Sequence, residues 1–248
     1  MQYVEFVGPP GSGKSTLRKC LSKKSNCCTV EDEVVSLVRS DRSPKVLSTL
    51  FRLLPRVLIG KRPDDLIRFS GLRMKLLDDF MERYLGVQPF LRDWDSVNCL
   101  KNKELALERF LTTAAKYQAI GKEKAKEYCL TDEGFLQKTV SLFLSPGQTT
   151  AADENLLKAY LLAVPLPQKI VYVFADTTTC YNRMMSRSKG LPVRMKGLNK
   201  VEILVFSEII KRHFDKVMAA IDPAQCEVIA IESNQSLDHT LAVLCRHF

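Results

Sequence analysis

Short apolar segments alternate along this chain with longer amphipathic ones. The predicted strands cover residues 2–7, 27–30, 127–131, 169–174 and 226–231. The longer of them are apolar on both faces, as in parallel sheets that are covered by helices on both sides. Helical patterns lie between the strands, which indicates right-handed βαβ units. The pattern therefore predicts an α/β fold built on a doubly wound parallel sheet.

The connection between the second and third predicted strands is too long for one crossover helix, because it contains about 95 residues. We therefore predict a helical insert over residues 34–126, with its last helices at 106–111 and 113–126. Prolines divide the insert into several helices, at Pro44, Pro55, Pro63 and Pro89. The whole chain, 1–248, is interpreted as a single domain that carries this insert.

One segment of the insert, residues 46–59, is apolar with arginines interleaved. This pattern is compatible with a helix that lies on a membrane surface. It also fits a helix packed against the core, and Pro55 favours this second interpretation because a proline interrupts a long interfacial helix.

The segment after the first predicted strand carries the clearest chemistry. Residues 8–16 read Gly-Pro-Pro-Gly-Ser-Gly-Lys-Ser-Thr, match G-x-x-x-x-G-K-[ST], and precede a helix-like stretch. Glycines let backbone N–H groups curl around phosphates, and the helix N-terminus adds positive potential. We expect Lys14 to reach the β- and γ-phosphates of a nucleotide and the Ser15 hydroxyl to bind Mg²⁺. A glycine-rich turn that matches by chance does not explain the flanking strand and helix.

Acidic residues directly follow the third predicted strand, at Asp132 and Glu133. A carboxylate at this point, next to the P-loop strand, can hold Mg²⁺ opposite Ser15, and we assign that role to Asp132. Glu133 is expected to orient or deprotonate the nucleophile. An acidic N-cap of a helix over 135–144 is the alternative interpretation.

A second acidic run, Glu31, Asp32 and Glu33, follows the second predicted strand. Doubly wound sheets bind ligands at the carboxyl ends of their strands, so these side chains are candidates for the acceptor side. We expect Glu31, and after it Glu33, to accept a proton from an acceptor hydroxyl. Acidic residues in the first turn of a helix follow the same pattern, and this interpretation stays open.

A segment rich in arginine follows the fourth predicted strand. Asp176 or Thr177 is expected to cap a helix that carries Arg183 and Arg187 on one face. A glycine–proline flap with two further cations comes next: Lys189 and Arg194. Mobile arginines that close over phosphates would neutralise the charge of phosphoryl transfer, so residues 183–197 are predicted to form a lid. A solvated basic helix end is the alternative.

Composition indicates what kind of protein and what kind of ligand to expect. Hydrophobic residues make up 46% of the chain, which is ample for a core. The net charge of +9 suits an anionic ligand, and residues 39–75 alone hold ten basic and three acidic side chains. A solvated helical face explains that segment equally well. No apolar run reaches the roughly 18 residues of a transmembrane helix, and the chain enters its first strand without a signal peptide, so we expect a cytoplasmic protein.

Cysteine and histidine are not spaced as metal ligands. None of the eight cysteines forms a C-x-x-C pair, and the three histidines lie far from such a pattern. Several cysteines lie within apolar stretches. They are expected to be buried thiols in a reducing compartment, and neither disulfides nor zinc ligands.

The P-loop, the acidic ends of two strands and the arginine-rich flap, in this order, resemble the nucleoside and nucleotide kinase group of P-loop kinases. The thymidylate-kinase and deoxynucleoside-kinase branch is the most similar, over residues 1–37 and 125–248. The resemblance implies a five-stranded parallel sheet in the order 2-3-1-4-5, and ATP and Mg²⁺ as cofactors. Carried over by position, ATP is cradled by Gly8, Pro9, Pro10, Gly11, Ser12, Gly13, Lys14, Ser15 and Thr16.

The resemblance also implies roles outside the P-loop. It places Asp132 at the Mg²⁺ site and Glu31 at the position of the base in deoxynucleoside kinases. Ser233 and Asn234 fall where the last strand of the family approaches adenine. The implied lid residues are Arg183, Arg187 and Arg194.

The chain departs from the family after the third strand. Thymidylate kinases have Asp-Arg there, deoxynucleoside kinases have Glu-Arg-Ser and adenylate kinases have Asp-Gly-Phe-Pro-Arg, whereas this chain has Asp132-Glu133-Gly134. The missing arginine clamps a phosphate near the acceptor in several relatives. An uncharged alcohol, such as a nucleoside, a sugar or the end of a glycan, is therefore expected to fit better than a nucleoside monophosphate.

The sequence thus predicts a phosphotransferase that moves the γ-phosphate of ATP to a hydroxyl of a nucleoside, nucleotide or sugar. The insert is expected to wall the acceptor site, with Arg68, Arg73 or Arg92 as polar contacts. A nucleotide-hydrolysing switch is the alternative from another class, with Asp132 and Glu133 as its hydrolytic pair. A nucleic-acid or polysaccharide-end kinase also stays open, although the basic insert has few aromatics for base stacking. The sequence is compatible with a dimer.

Overall fold

The computed structural model describes residues 1–24, 26–40, 72–97, 100, 102–120, 126–147, 153–188 and 190–248. Segment 46–59, Arg68 and Lys189, for which the sequence makes predictions, lie outside these ranges.

The strands form one parallel sheet whose order is β2-β3-β1-β4-β5. They are β1 (Gln2–Val7), β2 (Cys27–Thr29), β3 (Tyr128–Thr131), β4 (Lys169–Phe174) and β5 (Glu227–Glu232). The predicted sheet and its order are confirmed. β1 and β4 also have the predicted bounds, and the other strands begin or end one residue from them. Because β3 and β4 flank β1, the carboxyl ends of all three lie together at one edge.

Helices occupy most of the remaining described chain. They are α1 (Lys14–Lys24), α2 (Val30–Ser40), α3 (Arg73–Arg83), α4 (Val87–Val97), α5 (Lys103–Ala119), α6 (Phe135–Phe143), α7 (Glu154–Ala163), α8 (Thr177–Met185), α9 (Lys200–Ala219) and α10 (Leu237–Leu244). Short 3₁₀ turns cover Val193–Met195 and Cys245–His247.

The insert ends differently from the prediction. Instead of two helices over 106–111 and 113–126, a single helix, α5, runs through the predicted break. The hydroxyls of Thr112 and Thr113 donate to the carbonyls of Glu108 and Arg109, one turn earlier, at 2.9 and 3.0 Å. Since both threonines satisfy their hydroxyls within the helix, the helix continues past them.

The sheet separates two hydrophobic clusters, as the alternation of side chains along β1 requires. Val4 and Phe6 face a smaller cluster that includes residues of α1 and α10. Tyr3 and Val7 face a larger one that contains residues of α2 to α9. Helices therefore cover both faces of the sheet, which explains why its strands are apolar on both sides.

The helices of the insert share this larger cluster with the sheet. The rings of Phe80 in α3 and Phe135 in α6 stack with centroids 5.5 Å apart. Tyr117 in α5 meets Tyr3 of β1 edge to face at 5.2 Å. Aromatic contacts thus join the described part of the insert to the strand that carries the P-loop.

None of the helices in the described ranges has the length and apolar character needed to cross a membrane. The seven cysteines within those ranges form no disulfide bond.

Candidate active site

The P-loop connects β1 to α1, and two of its glycines press against neighbouring elements. Gly8 has a φ of +148°, and a Cβ atom there would lie 2.0 Å from the carbonyl oxygen of Val173 in β4. Gly11 has a φ of +88°, and its Cβ would lie 2.2 Å from the carbonyl oxygen of Cys180 in α8. The path of the loop therefore requires glycine at both positions.

Backbone hydrogen bonds fix the shape of the loop. The amide of Ser12 donates to the carbonyl of Pro9 at 3.2 Å. The carbonyl of Gly13 accepts from the amides of Thr16 and Leu17 at 3.0 and 3.1 Å, so it begins the hydrogen bonding of α1. The N–H groups of the first turn point out of the helix end, which makes this position suited to an anion.

Lys14, the first residue of α1, is half-buried among charged groups from other elements. Burial lowers the pKa of its ammonium, the carboxylates of Glu133 and Asp132 oppose this, and Arg187 lowers the pKa further. Lys14 thus lies where the P-loop, the end of β3 and the end of α8 converge. A triphosphate held by the loop would meet cations from two sides here.

Arg18 of α1 connects two of the predicted acidic residues. Its Nε lies 3.0 Å from Oδ1 of Asp132, and its Nη1 donates to Oε2 of Glu31 at 2.9 Å. The side chains of Arg18 and Asp132 are 9% and 11% exposed, so this ion pair is largely removed from water. The ends of β2 and β3 are therefore joined through one guanidinium.

The three acidic residues after β2 each have a different partner. Glu31 pairs with Arg18, and Asp32 Oδ2 accepts hydrogen bonds from the amide and hydroxyl of Thr29 at 2.9 and 2.7 Å. Glu33 is buried, and its Oε1 accepts from the thiol of Cys28. The expectation that Glu33 replaces Glu31 as a base is wrong, because its carboxylate points to a strand of the core. All three acids lie in the first turn of α2, where negative charge stabilises a helix.

Glu133 lies at the edge of the site and pairs with Lys138 of α6. Partial burial favours the neutral carboxyl, but Lys138 and Lys14 outweigh it and hold the pKa of Glu133 well below its usual range. The carboxylate therefore carries a full negative charge at neutral pH. It is a weak base that can accept hydrogen bonds from a hydroxyl.

Gly134 follows the two acidic residues after β3, and the structure shows why no side chain fits at this position. A Cβ atom at Gly134 would lie 2.4 Å from the carboxyl carbon of Glu5 and 2.4 Å from the hydroxyl of Tyr3. Glu5, fully buried in β1, accepts hydrogen bonds from the amides of Leu136 and Gln137 at 3.2 and 2.7 Å. This carboxylate occupies the N-terminus of α6, and burial raises its pKa to about 7.

The hydroxyl oxygen of Ser15 and the carboxylate oxygens of Asp132 are of the type that Mg²⁺ prefers as ligands. Ser15 is exposed at the N-terminus of α1, and Asp132 keeps a second carboxylate oxygen besides the one that faces Arg18. In the described ranges, no group of three or more His, Cys, Asp and Glu side chains is placed to hold a metal. A magnesium ion that accompanies a nucleotide needs only one or two protein carboxylates plus phosphate oxygens, so the residues present fit it.

A cavity of about 350 Å³ opens beside the P-loop. Gly13 and Thr16 form one wall, and another is formed by Arg183 of α8 and by Arg187, which lies two residues after the end of α8. Ser233, directly after β5, closes the back. The cavity therefore lies directly next to the loop.

Hydrogen bonds fix Ser233 between α8 and the loop. Its hydroxyl donates to the carbonyl of Ser12 at 2.6 Å. Arg183 donates to the hydroxyl and the carbonyl of Ser233 at 3.1 and 2.7 Å. Asn234 faces the start of α8, where its side-chain oxygen accepts from the amide of Asp176. The predicted cap of α8 is confirmed at Asp176, whose carboxylate accepts from the amide of Thr179.

Arg194 does not join Arg183 and Arg187 at this cavity. Its Nη2 donates to the hydroxyl of Ser141 in α6 at 2.6 Å, and it lines a different cavity, next to the insert. In this structure Arg194 therefore lies apart from the other two predicted lid arginines, and its role in a lid stays a prediction. Among the insert arginines, Arg73 pairs with Glu108 at 2.6 Å and the side chain of Arg92 is exposed.

Sequence reasoning missed Arg18 and Arg109. A signal for Arg18 exists, because its spacing to Leu21 places it on the buried face of α1. Arg109, which lines the second cavity with Arg194, has no comparable signal. It belongs to a long helix with several charged side chains, and only the packing distinguishes it from them.

Comparisons with known proteins give a distant structural likeness. No family model matches the chain. No curated protein matches it either. Among solved structures, it is similar to a deoxyadenosine kinase from M. mycoides with bound dATP, with 10% identity and a TM-score of 0.47. The match covers 100% of this chain and 98% of the other. At this identity, residue roles in the chain follow only from its own geometry.

Proposed function

We propose that this protein is an ATP-dependent phosphotransferase that moves the γ-phosphate of ATP to a hydroxyl of a small molecule. One observation carries the proposal. Lys14 of the P-loop shares its surroundings with two carboxylates at the end of the adjacent strand, Asp132 and Glu133, and with Arg187, which follows α8. Phosphoryl transfer needs this combination of phosphate-binding loop, acidic strand end and second cation.

The nucleotide would bind along the P-loop. Backbone N–H groups of the loop and of the first turn of α1 would hold its phosphates, with Lys14 at the β- and γ-positions. Its base would enter the cavity between Arg183 and Thr16, against Ser233. Ser15 and Asp132 would hold Mg²⁺, which would neutralise part of the negative charge of the phosphates.

The acceptor hydroxyl belongs on the opposite side of Lys14, next to Glu133. In-line displacement places the nucleophile opposite the leaving group, and the P-loop determines where that group lies. Glu31 is the second candidate for this task, and Glu133 is preferred because its charge acts on Lys14. Glu133 would orient the hydroxyl and would not need to deprotonate it early, since bond formation to the nucleophile lags in a loose transition state.

Hydrolysis of ATP is the second candidate function. An acidic pair after a strand next to the P-loop also occurs where a carboxylate activates water. The ion pair of Glu133 with Lys138 argues against it, because a carboxylate with a depressed pKa is a poor base toward water.

The test uses the full chain with Mg²⁺ and γ-labelled ATP, against panels of nucleosides, nucleotides, sugars and oligonucleotides. We expect label in one class of hydroxyl compound and its loss in Lys14→Ala. Lys19→Ala is the matched control, because Lys19 is exposed on the same helix. Free labelled phosphate without any acceptor would favour the hydrolase. Undiminished transfer by a folded Lys14→Ala protein would contradict the P-loop assignment.

A further inference from the structure

A second cavity, of about 70 Å³, lies between α5, the end of α6 and the 3₁₀ turn Val193–Met195. Its polar lining consists of Asn102, Arg109, Ser141, Ser145 and Arg194, and the remaining lining is mostly apolar. One water needs only about 10–15 Å³ of such space, so the cavity has room for a group of several heavy atoms. All five polar residues can donate hydrogen bonds, and none carries a negative charge.

The two arginines of this cavity are incompletely neutralised. Nη1 of Arg194 is buried and has no hydrogen-bond partner among the described residues, whereas Nη2 is bound to Ser141. Burial lowers the pKa of Arg194 to about 10, the nearby charge of Arg109 acts in the same direction, and Glu133 opposes both. A buried guanidinium nitrogen without a partner is unfavourable, and two cations that repel each other add to this. A ligand with negative charge would relieve both.

We propose that this cavity binds the oxyanion of a phosphorylated acceptor, with Arg109 and Arg194 as its charged donors. Guanidinium groups bind phosphate through paired N–H donors, and Ser141, Ser145 and Asn102 supply neutral donors around the same space. That the ligand is an acceptor of phosphate rests on the proposed function. That the cavity binds an anion is argued from the cavity itself.

The position of Glu133 relates the cavity to the P-loop. The carboxylate of Glu133 raises the pKa values of both Lys14 and Arg194, so it is close enough to act on the P-loop lysine and on the second cavity. An acceptor with its hydroxyl at Glu133 would extend its anionic group toward Arg109 and Arg194. This reverses the expectation of an uncharged alcohol. Arg109 and Arg194, from other elements of the chain, would supply the positive charge that residues 132–134 lack.

The first test measures the binding of inorganic phosphate by titration calorimetry, with the P-loop filled by Mg²⁺ and a non-hydrolysable ATP analogue. We expect saturable binding in the wild type, weakened at least tenfold in Arg109→Met and in Arg194→Met. Arg212→Met is the matched control, because Arg212 is an exposed arginine far from the cavity lining. Acetate, a carboxylate probe, is expected to bind more weakly than phosphate.

Equal phosphate affinity in the wild type and in Arg109→Met, or no saturable binding in the wild type, would overturn the proposal. Failure of the ATP analogue to bind would count against the proposed function alone. In that case the phosphate titration is repeated in Lys14→Ala, which isolates the second cavity from the P-loop. Arg109→Lys, which keeps the charge and loses the planar fork, is expected to have intermediate affinity.

A stability measurement distinguishes a ligand-binding role from a structural one. If Arg109 serves a ligand, its replacement by methionine removes a repulsion, and the Tm without phosphate should stay the same or rise. The increase in Tm that phosphate causes in the wild type should disappear. A lower Tm in Arg109→Met together with an unchanged response to phosphate would show that Arg109 only supports the fold.

Discussion

The guanidinium of Arg18 lies 3.0 Å from the carboxylate of Asp132, inside the contact between the first helix and the third strand. The same guanidinium binds Glu31 after the second strand. One buried cation therefore positions the carboxylate that we assign to magnesium and holds two neighbouring strand ends together. This links the stability of the sheet edge to the geometry of the site.

Replacement of Arg18 by methionine should reduce stability and nucleotide binding together. Asp132 would become a buried charge without its partner, which typically costs about 3 kcal/mol or more. Urea denaturation measures the loss, and the affinity for Mg²⁺–ATP should fall in parallel. Lys19→Met, on the exposed side of the same helix, should change neither quantity. A stable Arg18→Met protein with normal ATP binding would mean that the ion pair is dispensable.

A methyl group at Gly134 should destabilise the protein. The Gly134→Ala side chain would overlap with Glu5 and Tyr3 at 2.4 Å, and overpacking of this kind costs roughly 1–3 kcal/mol. Gly86→Ala is the control, since its Cβ would meet Ala163 at an ordinary 3.4 Å. Thermal unfolding compares the two variants. Equal Tm values would show that Glu5 moves aside easily and does not exclude a side chain at Gly134.

Glu5 should make stability depend on pH in a defined direction. Its pKa is raised from 4.5 to about 7, so between these values the folded state holds a proton that the unfolded state releases. The contribution of protonated Glu5 to the free energy of unfolding is complete below pH 4.5 and is lost as the pH rises through 7. Relative to Glu5→Gln, the wild type should therefore lose on the order of 3 kcal/mol over this window.

Denaturation of both proteins at several pH values measures this difference. Because Gln does not titrate, other titrating groups cancel in the comparison. A difference that is flat from pH 4.5 to 7.5 would show that the folded protein holds Glu5 with an ordinary pKa.

The two arginines beside the P-loop should have separable effects. Arg187 influences Lys14, and its contact with phosphate should strengthen as charge develops, so Arg187→Ala should lower kcat roughly 10²-fold. Arg183 binds Ser233, so Arg183→Ala should mainly weaken ATP binding. Steady-state kinetics and nucleotide titration together separate kcat from affinity. The assignment fails if Arg187→Ala lowers affinity and leaves kcat unchanged.

Replacement of Glu133 and replacement of Glu31 should have different effects on phosphoryl transfer. Glu133→Gln should reduce phosphoryl transfer by roughly 10²-fold while ATP still binds, because it loses a charged acceptor for the hydroxyl. Glu31→Gln should have a smaller effect on transfer and should weaken the contact with Arg18. Single-turnover rates with saturating ATP measure both. A larger loss of transfer in Glu31→Gln than in Glu133→Gln would show that Glu31, and not Glu133, orients the acceptor hydroxyl.

Local patterns in the sequence were sufficient to predict the strands and the loop at residues 8–16. Alternation and apolar runs predicted strands within one residue of their bounds, and Gly8 to Thr16 predicted a glycine turn between a strand and a helix, because both depend on neighbours in the chain. The strand order came from resemblance to P-loop kinases and is confirmed. The break predicted within α5 was wrong, since the threonine hydroxyls found carbonyl partners inside the helix.

Contacts between distant segments were decided only by the tertiary structure. The sequence could list Asp132, Glu31 and Arg194, but not the partners that packing brings to them: Arg18 for the two acids, and Ser141 and Arg109 for the arginine. It could record the glycine at position 134 but not the buried carboxylate of Glu5 that excludes a side chain there. The physical reason is that the energy of a charge depends on its burial and on what lies within a few ångströms. Neither quantity is contained in the periodicity of a single segment.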